Sequence, residues 1–130
     1  MIQRIQSLYL LLLIICFSLG LFFLPPLDIP ELSFSYTIYL ESYLILSIIM
    51  SALALFIFKY RKIQLLINSI QLFLQTFVLL GLIFVMLSAN AVDGFLPWLS
   101  MPILAIIFLL MSNRAIRKDE ALVRSIDRLR

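Results

Sequence analysis

The chain contains no histidine, one cysteine (Cys16) and three glycines among its 130 residues. A chain so equipped has no side-chain set for zinc or haem and cannot close an intrachain disulfide. No pair of carboxylates lies inside an apolar run, and the hydroxyl and thiol groups of Ser47 and Cys16 have no general base within their helices. Catalysis is therefore not expected, and neither is a cofactor or a metal.

Apolar surface is what the chain has in excess. Hydrophobic residues make up 64% of it and the mean hydropathy is +1.14, more than one soluble core of this size can hide. Apolar runs cover residues 5–24, 43–58, 63–87 and 95–111. Crossing a bilayer takes roughly 17 to 25 residues of helix, so the first and third runs suffice alone and the others draw on interfacial neighbours. The runs are unbroken and rich in Leu, Ile and Phe, without the alternation of a barrel strand. The expected fold is all-α, a membrane bundle of four transmembrane helices with a cytoplasmic helical extension at 112–130. Arg4 before the first run suggests a signal peptide, but Ile15 precedes Cys16 and no small-residue cleavage site precedes Pro25, so the first helix is expected to be retained.

Lysine and arginine are missing from two of the connections. They occur at Arg4, in KYRK (Lys59, Arg61, Lys62) and from Arg114 to Arg130. The positive-inside rule puts these segments in the cytoplasm, with both termini, and leaves Asp28, Glu31, Glu41 and Asp93 outside. A multi-pass protein of the bacterial inner membrane is the expected localisation.

The outer connections read differently from each other. In PPLDIPELSFSYTIYLES the prolines end a helix and residues 33–38 then alternate. The segment is either a short extended strand or an interfacial loop holding Tyr36, Tyr39 and Tyr43 at headgroup level, the loop being preferred. In SANAVDGFLP, Asp93-Gly94 signals a turn, Pro97 suits a first helical turn, and Trp98 suits the outer interface. Pro102 removes a helix donor and is read as a bend, since no second broken helix accompanies it.

The third run carries amides in QLLINSIQLFLQ. Gln64, Asn68, Gln71 and Gln75 fall within a stripe of about 60° on a 3.6-residue helix. Facing lipid, each would leave amide groups unsatisfied; facing inward, they bond across helices. A hydrated pathway is the alternative, but proton relays and ion-coupled sites normally include an ionisable group at depth, and none is present. Ser47, Ser51 and Ala54 form a small-residue stripe on the second run. Counted from the KYRK turn at about 1.5 Å per residue, Ser51 is level with Gln71 and Ser47 with Gln75. An interhelical seam between the two stripes is expected, with Asn68 beside Ala54.

The last run continues as NRAIRKDEALVRSIDRLR, with Ala115, Leu122, Ile126 and Leu129 on one face, Ile116 and Val123 on its flank, and a spacing of Glu120 to Arg124 that supports a helix. Arg114, Arg117, Lys118, Arg124 and Arg128 are the expected contacts to anionic headgroups of the bilayer or to a membrane protein partner. Nucleic acid is not expected, because Asp119, Glu120 and Asp127 dilute the charge and the tail lacks an aromatic residue for stacking.

This tail, the opening MIQRIQSLYLLL and the turn KYRKIQ followed by Asn68 resemble small four-helix membrane proteins of Bacteroidota grouped as domain-of-unknown-function family 4293. The resemblance implies a bacterial inner-membrane protein of this topology and carries no catalytic residue or activity. Taken together, the readings point to an accessory or structural subunit of a membrane assembly. The alternative is a small transporter or channel-like homo-oligomer that uses the amide stripe.

Overall fold

Residues 3–27, 36–88 and 94–128 are described by the computed structural model, with side-chain burial described within 5–27, 36–88 and 94–125. They form four α-helices: α1 (Gln3–Phe23), α2 (Tyr36–Phe56), α3 (Arg61–Ser88) and α4 (Phe95–Arg128). Each is long and apolar enough to cross a membrane.

Local chemistry sets the ends. Leu24 N–H still bonds to the Gly20 carbonyl, after which Pro25 and Pro26 offer no donor and α1 stops. Between α2 and α3 the chain reverses within residues 57–60, and the Tyr60 carbonyl accepts from Gln64 N–H to open α3. Gly94, at φ +93°, takes a left-handed conformation that only glycine adopts without strain and starts α4.

Two elements differ from the sequence reading. Residues 36–42, read as an interfacial loop or extended segment, are the first turns of α2; residues 33–35 lie outside the described part. The buried positions Leu40, Tyr43, Leu44, Ser47, Ser51 and Ala54 recur at helical spacing, so the helical period starts before the apolar run does. Thr37 Oγ1 accepts from Leu27 N–H at 2.9 Å and donates to the Leu27 carbonyl at 3.3 Å, tying the start of α2 to the segment that follows α1. At the other end, α4 does not leave the bundle at residue 112. Ser112 and Ile116 are fully buried, and exposure becomes continuous only across residues 121–125. The helix runs unbroken through Pro102.

α1 packs on α2 and α4, and α3 packs on α4 and, less closely, on α2. α1 and α3 therefore stand on a diagonal. Gly20 brings α1 close to α4: a Cβ added there would sit 3.2 Å from Met101 Sδ. The interior is layered. At the end opposite the termini it is apolar, with Phe17, Leu27, Leu40, Leu82, Phe95 and Trp98 buried. The Trp98 indole, read as an interface anchor, is inside instead, and its N–H donates to the Pro25 carbonyl at 2.9 Å. Towards the termini the interior becomes polar.

α3 is amphipathic with its polar face inward. Gln64, Asn68, Gln71 and Gln75 are buried, whereas Phe73, Phe77 and Phe84 are 73%, 69% and 71% exposed. The outward hydroxyls are satisfied within the helix: Ser69 donates to the Leu65 carbonyl and Thr76 to that of Leu72.

Candidate functional site

The amides of α3 form a column along the bundle axis, and each level meets a different neighbour. Nearest the termini, Gln64 Oε1 accepts from Gln6 Nε2 of α1 at 3.3 Å, across the diagonal. One turn on, Asn68 Nδ2 donates to Asn113 Oδ1 at 3.0 Å and Ser112 Oγ at 3.4 Å, both on α4. Gln71 Nε2 then donates to Ser51 Oγ at 2.8 Å and to the Ser47 carbonyl at 3.1 Å. Ser51 Oγ donates to that same carbonyl at 2.8 Å. At the last level Gln75 Nε2 donates to Ser47 Oγ at 3.1 Å, and the Tyr43 hydroxyl donates to Gln75 Oε1. Phe17 closes the column, its ring edge-on to Tyr43 at 6.0 Å.

The level matching of Ser51 with Gln71 and of Ser47 with Gln75 follows from counting residues away from the turn. The neighbours of Gln64 and Asn68 do not. The expected two-helix seam is a column shared by all four helices, and the Asn68 amide donates to α4. Sequence reasoning passed over Gln6, Ser112 and Asn113, whose polar side chains next to apolar runs were a usable signal. It placed Tyr43 at headgroup level, whereas Tyr43 is buried and bonded to Gln75.

Some buried atoms of the column have no partner among the described residues: Gln6 Oε1, Gln64 Nε2, Asn68 Oδ1 and Gln71 Oε1. All the described buried polar side chains, Gln6 through Asn113, are neutral amides or hydroxyls. Such a set can hold helices in register or bind a polar guest, but it has no group that would ionise in the physiological range.

Charge gathers at the end that carries the termini. Arg61 of α3 lies 2.8 Å from the Asp119 carboxylate of α4, a partly buried pair that sequence reading had counted only as dilution of positive charge. The contact is an ion pair without the alignment of a hydrogen bond. Arg124 binds Glu120 at 2.8 Å one turn away. Arg114, Arg117 and Lys118 are exposed and have no ion pair among the described residues. The Arg128 side chain lies outside the described part, as does that of Asp127.

These features define a bundle of four candidate membrane-spanning helices, apolar outside and joined by neutral amides inside. The chain belongs to the family of the domain of unknown function DUF4293, whose family model matches residues 28–129. The resemblance noted in the tail and the inner turn falls within that match. No curated protein and no solved structure matches it.

Proposed function

We propose that the chain is a multi-pass protein of the bacterial inner membrane, both termini cytoplasmic, that serves as an accessory or structural subunit of a membrane assembly. The reversed amphipathicity of α3 carries the membrane part. A helix that buries Gln64, Asn68, Gln71 and Gln75 while exposing Phe73, Phe77 and Phe84 is suited to hydrocarbon outside and hydrogen bonds inside. In water, an apolar patch of this extent would drive aggregation. The clustering of the basic residues at one end supports the orientation.

The subunit role is supported by what α4 leaves free. Beyond the Arg61–Asp119 pair, residues 121–125 are exposed and include Leu122 and Val123 at 44% and 42%. An exposed apolar turn of this kind suits a protein partner, with Arg124 at its rim. The transporter reading rests on the unpartnered column atoms, which a polar solute would satisfy. Affinity purification from a mild detergent separates the two. A stoichiometric partner that is lost when residues 121–130 are deleted supports the subunit role. A homo-oligomer that conducts a solute in liposomes, with no partner retained, overturns it.

A further inference from the structure

We propose that the groove between α1 and α4 at the basic end is a binding site for an anionic phospholipid. The inference rests on the membrane reading above. The groove, about 370 Å³, is lined by Ile5, Tyr9, Met111, Arg114, Ala115 and Lys118. This is within the ordinary size range of a small-molecule site. Ile5 and Met111 give it apolar walls, and Arg114 and Lys118, one helical turn apart, put two cations on the same rim.

Charge decides the occupant. The acidic residues nearest in sequence are already engaged, Asp119 by Arg61 and Glu120 by Arg124. Among the described residues no carboxylate lines the groove. Arg114 and Lys118 are thus left uncompensated beside an apolar cleft, the surface that a phosphodiester with acyl chains complements. Depth agrees: Ile5 opens the first candidate span, so the cations lie where that span meets the headgroup layer. The Arg114 guanidinium and the Lys118 ammonium bind the phosphate oxygens, Ile5 borders the glycerol region, and an acyl chain runs deeper along Tyr9 and Met111.

The test uses the full-length protein in a neutral detergent. Dioleoyl phosphatidylglycerol, dioleoyl phosphatidylcholine and inorganic phosphate are titrated separately, and bound molecules are counted by native mass spectrometry. Phosphatidylglycerol should be retained in preference to phosphatidylcholine, and inorganic phosphate should not displace it. The double substitution Arg114→Gln with Lys118→Gln should weaken retention by about thirty-fold, or about 2 kcal/mol, the contribution of two cations at an anionic headgroup. Lys59→Gln with Lys62→Gln removes the same charge at the same end, outside the groove, and should leave retention within about threefold of wild type. Equal loss in both doubles, equal retention of phosphatidylcholine, or displacement by inorganic phosphate overturns the site. Alkaline carbonate washing of membranes tests the underlying reading separately: if the wash releases the protein, the membrane assignment itself fails.

Discussion

Replacing Gln75 by Leu should be much more damaging than replacing Gln71 by Leu, although the two glutamines are neighbours on one helix face and both are fully buried. Leucine has nearly the volume of glutamine, so packing changes little and hydrogen bonding decides. Gln75→Leu removes the bond to Ser47 Oγ and the bond from the Tyr43 hydroxyl. Interhelical bonds in membranes average ~0.6 kcal/mol and reach ~1.7 kcal/mol. The substitution also strands a buried hydroxyl, at about 1 to 3 kcal/mol. The sum is about 3 kcal/mol. Gln71→Leu also removes two bonds, but Ser51 keeps its bond to the Ser47 carbonyl and the unpartnered Gln71 Oε1 disappears. Gain and loss nearly cancel there, leaving about 1 kcal/mol or less. In the Gln75→Leu background, Tyr43→Phe removes the stranded hydroxyl and should recover about 1 to 2 kcal/mol. Reversible unfolding by SDS in mixed micelles, followed by far-ultraviolet circular dichroism, reads all four proteins. The reasoning fails if Gln71→Leu matches Gln75→Leu, or if Tyr43→Phe deepens the loss.

On the proposed topology, a reporter fused after Arg130 should be active only as a cytoplasmic fusion and one inserted within residues 28–35 only as a periplasmic one; a periplasm-active C-terminal fusion would overturn the orientation. With Cys16 replaced by Ala, Ser51→Cys paired with Gln71→Cys should oxidise to a disulfide in membranes. Leu53→Cys with Gln71→Cys should not, since Leu53 is half exposed on the outer face of α2, and crosslinking of that control alone would refute the packing. Asp119→Asn should release the end of α4 from Arg61 and speed tryptic cleavage after Arg117 and Lys118. Because the pair is partly exposed, the global stability loss should stay near 1 kcal/mol, and unchanged cleavage would show that the pair does not hold the helix.

Depth and burial preference along each helix were legible in the residues. The amide stripe had to turn inward, because hydrocarbon offers amides no partner. Counting from a tight turn set which residues of α2 and α3 share a level, because a helix rises by a constant step. Helix ends were less legible. Residues 36–42 look extended by composition, yet they are helical because Leu40 and Tyr43 pack inward and Thr37 is tied to Leu27. Local propensity yields there to tertiary contact.

Beyond the pairing of α2 with α3, the neighbours of each side chain were not legible. Gln6 and Gln64 are 58 residues apart, and Asn68 and Asn113 are 45 apart. They meet because α1 stands diagonally opposite α3 and α4 packs beside it. The Arg61–Asp119 pair has the same origin. Periodicity states which face of a helix is polar, but the order of helices around the axis depends on how several faces pack at once. A stripe that matched one neighbour well in depth was therefore shared among three.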